Sequence, residues 1–318
     1  MQNDLKVHAH ITKTTRHSAV SPPAGRQLTR TVPREYTHRA AVAEVFLTDW
    51  IPGQPDGFTV SAQWPRGHAF FAPQAGYQDP LLVAESVRQI GSLLAHAEYG
   101  VPLGYQFLMR NLSFTATPEG LATAPVPTEV EMRVACHDLV RRGDRLASMR
   151  YEATLFRDDR AVAVAEADFS CIAPHVYRRL RGARPTSGPA GSGRVADPAS
   201  VGRILPSDVV LMAPESHPRR WQLRVDTSHP ILFDHPVDHV PGMVLLEAAR
   251  QAAQAVHPMR VLSLGMDSTF LSYAELDAPC WIEAEVGEPT AAGAAPVDII
   301  GTQNGRTIFS ARVTTWRA

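Results

Sequence analysis

The sequence predicts an α+β fold in which one plan, a long helix followed by antiparallel strands, is carried out twice. Two helical stretches, at residues 80–99 and 242–257, are apolar on nearly every side, as a helix wrapped by a curved sheet must be. Their few polar positions coincide: Glu85 and Glu247, Arg88 and Arg250, and Gln89 and Gln251 are each 162 residues apart, and Phe71 and Phe233 share that spacing. After each helix come short alternating segments separated by turn residues, the pattern of half-buried strands.

Residues 1–33 are rich in Thr, Arg, Pro and Ser without periodicity and read as a flexible arm. The first domain then spans 34–177. Strands are expected at 44–51 and 58–64, and a helix at 80–99 closed by Gly100 and Pro102. Further strands fall at 105–115, 129–139, 146–157 and 161–172, with turns at Arg142-Gly143-Asp144 and Asp158-Asp159. Residues 178–198 form a Gly, Ser and Pro linker that opens with Arg178, Arg179 and Arg181, a run expected to be solvated. The second domain, 199–318, repeats the plan: a strand at 221–226, a helix at 242–257 stopped by Pro258, and strands at 260–273, 280–286, 297–302 and 307–315. Asn304-Gly305 reads as a hairpin turn, because both residues tolerate positive φ.

Composition narrows the function. The 31 Lys and Arg nearly balance the 32 Asp and Glu, so a nucleic acid or an acidic membrane surface gains little by approaching. No apolar stretch reaches the length of a signal sequence or a membrane helix, and Cys136, Cys171 and Cys280 lie at unrelated spacings. The expected location is therefore a reducing cytoplasm. Nucleophile-elbow, phosphate-loop and dinucleotide glycine patterns are absent. Cys136 and His137 are strand neighbours that face opposite sides of a sheet. His68, His96, His137 and His257 stand alone and read as structural.

Two features carry chemistry. The loop Phe233-Asp-His-Pro-Val-Asp-His-Val-Pro-Gly-Met243 places Asp234, His235, Asp238 and His239 between prolines, just ahead of a helix start whose free N–H groups can meet an oxyanion. A metal centre and a self-bonded loop are the competing readings of those four side chains. In the helices, Glu85 with Arg88 and Glu247 with Arg250 are i, i+3 pairs flanked by Leu and Ala. Exposed pairs of this kind are usually of little consequence, but charge inside an apolar helix is costly unless paired or used.

The string from Pro241 to Ala252 is similar to the helix of the β-hydroxyacyl-carrier-protein dehydratases. The longer string 233–252, with its partner Asp79-Pro-Leu-Leu-Val-Ala-Glu-Ser-Val-Arg-Gln89, resembles the A-factor biosynthesis (AfsA-type) γ-butyrolactone synthase family across both halves. The resemblance implies two tandem hotdog domains, each a long central helix wrapped by an antiparallel sheet, forming a pseudo-dimer. It also implies an acyltransferase that joins a β-ketoacyl group to the hydroxyl of dihydroxyacetone phosphate. The acyl group arrives as a carrier-protein or coenzyme A thioester, and the product leads toward a butenolide autoregulator precursor. No cofactor or metal is implied. The catalytic residues carried over are Glu85, Glu247 and Arg250; Arg88, His235, Asp238, His239 and Gly242 are expected to bind substrate. Burial is expected to raise a glutamate's pKa and make it the general base, with Arg250 gripping phosphate or orienting a glutamate. Two unequal pockets are expected, the His-rich loop facing the Glu85 helix in one. The alternatives on the same fold are a dehydratase or thioesterase, and a non-catalytic acyl-binding regulator.

Overall fold

A computed structural model describes residues 30–188, 193–214, 217–288 and 295–317 of the chain, so most of the expected N-terminal arm and part of the linker lie outside the described residues. The described strands join into one antiparallel sheet ordered β1-β2-β4-β5-β6-β3-β8-β11-β10-β9-β7. The first half supplies β1 (Leu47–Pro52), β2 (Gly57–Trp64), β3 (Gln106–Ala116), β4 (Thr128–Arg142), β5 (Arg145–Arg157) and β6 (Arg160–Ile172). The second supplies β7 (Arg220–Gln222), β8 (Val261–Phe270), β9 (Cys280–Val286), β10 (Pro296–Gln303) and β11 (Arg306–Arg317). The halves meet where β3 pairs with β8, Ser113 opposite Asp267, at the centre of a pseudo-twofold arrangement.

Burial alternates along β4 and β5, so Met132, Val134, Tyr151, Ala153 and Leu155 face the helices. Helix α1 (Leu81–Ala97) is buried along almost its whole length, Arg88 being the exception among its central residues. Helix α3 (Gly242–Ala255) is buried from Met243 to Gln254. The side chain of Asp79 accepts the Leu81 N–H at 2.9 Å to start α1, and Gly100 (φ 67°) ends its C-terminal turn. Asp158 and Asp159 (φ 49° and 60°) and Asn304-Gly305 (φ 51° and 72°) form the expected left-handed hairpin turns.

Three expectations are corrected. β1 begins at Leu47 rather than 44, because the Gln89 amide takes the Phe46 N–H and the Glu44 carbonyl and bends this segment into a 3₁₀ turn. β7 stops at Gln222, since Arg224 N–H turns to the Val210 carbonyl and Asp226 ties off a turn at Ser228. The third concerns the linker, whose basic start is a helix, α2 (Pro174–Arg181), with Arg181 buried.

Gly91 shows how tightly sheet and helix meet. A Cβ there would lie 2.7 Å from the Tyr151 hydroxyl and 2.9 Å from the Phe169 ring, and that hydroxyl donates to the Val87 carbonyl at 2.7 Å. Gly91→Ala is expected to destabilise by about 1–3 kcal/mol through overpacking, against the usual helix preference for alanine. A urea midpoint at or above wild type would contradict this contact.

Candidate active site

Each helix buries one glutamate inside a cluster of two arginines and a glutamine. Glu85 accepts from Arg39 (3.0 Å to Nε), from Arg88 (2.9 Å and 2.7 Å) and from Gln89 (2.7 Å). Glu247 accepts from Arg203 (2.7 Å and 2.6 Å), from Arg250 (2.9 Å and 2.7 Å) and from Gln251. Both carboxylates are 0% exposed. Burial alone would push them up, yet the surrounding guanidiniums outweigh it and hold each down to about 2. The expectation of a burial-raised general base is thereby corrected: a carboxylate held that low is a weak proton acceptor near neutral pH.

The repeat extends beyond the helices. Gln251 binds the Val210 N–H and the Asp208 carbonyl as Gln89 binds those of Phe46 and Glu44. The Nδ1 of His68 accepts the N–H groups of Phe70 and Phe71, and that of His229 accepts those of Ile231 and Leu232. Each cluster also clamps the halves together: Arg39 donates to the Ile231 carbonyl at 3.2 Å, and Arg203 to the Phe70 carbonyl at 2.7 Å and to Asp79 at 3.0 Å.

Two cavities follow from this geometry, and they are unequal. A cavity of about 210 Å³ lies between the second-half loop and α1, the expected pairing of the His-rich loop with the Glu85 helix. Its polar end presents His38, Arg39, Arg88 and His235; Phe107, Phe169, Val237, Met243, Leu246 and Phe270 are among its apolar walls. It shares Phe107, Met109, His239, Gly242 and Phe270 with an adjoining open groove of about 630 Å³. The counterpart between the first-half loop and α3 holds only about 40 Å³. There Gln254 stands where α1 has Ser92, and Gln74 closes the mouth by bonding the Gly202 carbonyl and Arg260.

The structure distributes the expected site residues accordingly. Arg88, His235, His239 and Gly242 line the larger cavity. Arg250 lines the smaller one, while Glu85 and Glu247 sit behind their arginines and line neither. The loop acids point in different directions. Asp234 accepts the N–H groups of Ala40 and Ala41 (2.5 and 3.1 Å), whereas Asp238 accepts from Tyr177 at 2.6 Å and from Arg181, and lies 2.7 Å from His239 Nδ1. These four loop side chains form no metal cluster, nor does any other group among the described residues.

Arg39, Arg203 and His38 went unread in the sequence. A signal existed: Arg39 precedes Glu44-Val45 as Arg203 precedes Asp208-Val209, but 164 residues apart rather than 162. The histidine pair, 161 apart, slips the other way, so Phe71 corresponds in hydrogen bonding to Leu232 and not to Phe233. His96 is part of the site's support. Its Nδ1 donates to the Val101 carbonyl at 2.6 Å, so its Nε2 accepts from His38 Nε2 at 2.7 Å. Burial, helped by His96 and Arg88, pushes His38 down to about 3.

Two fused helix-in-sheet halves, with one roomy cavity and one filled cavity at their interface, define a double-hotdog protein. The sequence model for the A-factor biosynthesis hotdog domain (AfsA) matches residues 20–173 and 186–317. The chain belongs to that family. It is 52% identical over 290 residues to a 2-oxo-3-(phosphooxy)propyl 3-oxoalkanoate synthase of Streptomyces virginiae, covering 91% of this chain and 98% of that one. It is 44% identical to the synthase of the same name from Streptomyces coelicolor, covering 87% and 89%. Among solved structures, a 12:0-ACP thioesterase from Umbellularia californica superposes with TM-score 0.50 at 10% identity over 82% of this chain and 94% of that one. A Lactobacillus plantarum structure named as an oleoyl thioesterase gives TM-score 0.51 at 10% identity, covering 81% and 96%. These two likenesses concern the fold alone. No helix among the described residues is long and apolar enough to cross a membrane.

Proposed function

We propose that the chain is an acyltransferase that joins a 3-oxoacyl group, delivered as a carrier-protein or coenzyme A thioester, to the hydroxyl of dihydroxyacetone phosphate. The products are the 2-oxo-3-(phosphooxy)propyl ester and a free thiol, and the ester leads toward a butenolide. The observation that carries this reading is the larger cavity, whose apolar walls suit an acyl chain and whose lining includes Arg39 and Arg88, in a chain 52% identical to a synthase of that product. A cytoplasmic setting accords with the free thiols of Cys136, Cys171 and Cys280.

In this reading Arg88 meets the phosphate. Its Nε and Nη2 are spent on Glu85 and the Thr37 carbonyl, while Nη1 makes no hydrogen bond among the described residues. Arg39 and Arg88 are balanced by Glu85 and nearby Asp234, so an anionic oxygen meets the single remaining Nη1 group of Arg88 rather than excess charge. Glu85 fixes that guanidinium by taking its Nε and Nη2. Pro241 leaves the start of α3 without a side-chain cap, so the N–H groups of Gly242 and Met243 can polarise the thioester carbonyl, a contribution of about 3 kcal/mol in comparable oxyanion sites. Dehydration of a hydroxyacyl group needs a protonated acid beside the leaving hydroxyl, and Glu85, held down to about 2, is ionised at neutral pH.

The test is thiol release and phosphorylated ester formation from a 3-oxoacyl thioester, with and without dihydroxyacetone phosphate. Transfer predicts both products only when the triose is present; thiol release independent of it would instead make the protein a thioesterase. Loss of a charge-assisted hydrogen bond of about 1.5–3 kcal/mol predicts that Arg88→Gln raises KM for the triose roughly 10–100-fold with little effect on KM for the thioester. Equal increases in both would remove Arg88 from the phosphate site.

A further inference from the structure

We propose that His239 is the general base of this transfer, with Asp238 and Arg181 as positioning residues. The inference rests on the acyltransferase reading and adds the group that takes the proton. Three histidines reach the larger cavity, and their surroundings separate them. His38 is held down to about 3, so it is a feeble base. His235 lies 3.5 Å from Asp234, whose oxygens already accept two backbone N–H groups, and its ring is half-exposed. His239 alone stands in a tight dyad, its Nδ1 2.7 Å from Asp238 Oδ1.

The dyad has a defined tautomer and a rigid frame. Burial would raise the Asp238 carboxyl, but bonds from His239 and Tyr177 and the charge of Arg181 outweigh it and keep it ionised. An ionised carboxylate only accepts, so Nδ1 of His239 carries the proton and Nε2 carries the lone pair. Among the described residues Nε2 has no hydrogen-bond partner, and the ring borders both the cavity and the open groove, beside the start of α3. Asp238 is held from behind by Tyr177 at 2.6 Å and by Arg181, which donates to its Oδ2 at 3.3 Å and to its carbonyl at 2.9 Å. Arg181 is in turn gripped by Glu275 (2.6 and 2.9 Å) and lies 4.1 Å above the Tyr273 ring, which also packs edge-on against His239. The last turn of α2, which falls in the expected linker, therefore supports the dyad. Burial lowers His239 while Asp238 and Glu275 raise it and Arg181 lowers it; the net is downward, leaving a neutral base at pH 7.

The step balances. The triose O–H gives its proton to Nε2 as its oxygen bonds to the thioester carbon, and the tetrahedral oxyanion faces the N–H groups of Gly242 and Met243. Collapse breaks the C–S bond, and the imidazolium returns the proton to the departing sulfur, leaving ester and thiol.

His239→Gln should lower kcat for ester formation at least about 100-fold while both KM values stay within roughly threefold. Wild-type kcat should rise with pH along an acid limb whose apparent pKa lies below the ordinary histidine value, and this limb should vanish in His239→Gln. Asp238→Asn should move it further down. Arg181→Ala should move the limb up, because Arg181 lowers His239, and loss of stability alone would not do this. A His239→Gln enzyme that keeps a third of its turnover, or keeps the limb, overturns the assignment. If that variant does not fold, the wild-type limb and its displacement in Asp238→Asn decide instead, an unmoved limb counting against the dyad. The acyltransferase reading fails separately, if wild type forms no phosphorylated ester at all.

Discussion

Glu247→Ala is expected to destabilise the folded chain by about 3–5 kcal/mol, among the largest single-residue effects available in this protein. The side chain is wholly buried and neutralises two guanidiniums, of which Arg203 is 1% exposed and Arg250 10%. Removing it leaves two largely buried guanidiniums without their counter-charge, and releases Gln251 from the position in which it holds Val210 and Asp208. Arg203 also ties the second half to Phe70 and Asp79 of the first, so the loss spreads to the joint between halves. Urea denaturation measures the effect, and a change below about 1 kcal/mol would show that the cluster is not a structural clamp. Because Arg250, the arginine that Glu247 holds, lines only the smaller cavity, the folded fraction of this variant should keep KM for dihydroxyacetone phosphate near wild type. Glu85→Ala should lose stability and triose affinity together, since it releases Arg88, which lines the open cavity. A selective loss of triose affinity in Glu247→Ala would reverse that division of labour.

Acid should weaken the fold from well above the usual carboxylate range. His38 has a folded pKa of about 3 against 6.5 unfolded, so the unfolded chain binds a proton that the folded one refuses, and stability falls as pH drops below 6.5. Glu85 and Glu247 stand at about 2 against 4.5 unfolded. Their contribution is complete above 4.5 and is lost as pH falls toward 2, which steepens the decline. His96 and His239, both lowered chiefly by burial, act in the same direction as His38. Melting temperature followed from pH 7 downward should therefore begin to fall near the ordinary histidine pKa, and His38→Gln should flatten the upper part of that fall while leaving the lower part. A plateau from neutrality down to the carboxylate range would contradict the buried-neutral assignment of His38.

Much of the fold was readable because its signals are periodic or duplicated. The all-apolar helices announced themselves, and the matched Glu, Arg and Gln marked the two buried clusters. The partners were harder to see. Arg39 and Arg203 lie outside the helices, and small differences in loop length shift their spacing, so a search at one fixed offset passes over them. Arg181 looked like one more charge in a basic run, since only the fold brings Asp238, Glu275 and Tyr273 around it. The direction of the glutamate pKa shift also depended on counting guanidiniums in space: burial is visible in the pattern of neighbours, two opposing charges per carboxylate are not.

The seam between β3 and β8 has an evolutionary consequence. In an assembly of two identical subunits, a substitution that fills one interfacial pocket must fill both, and a loop improved for one reaction centre is improved for two. Covalent fusion removes that constraint. Here the second-half loop carries the acids and imidazoles, and in the first-half loop Gln74 bridges to Arg260. A single polypeptide can thus keep an open cavity on one side and a nearly closed one on the other, an asymmetry barred to a symmetric pair.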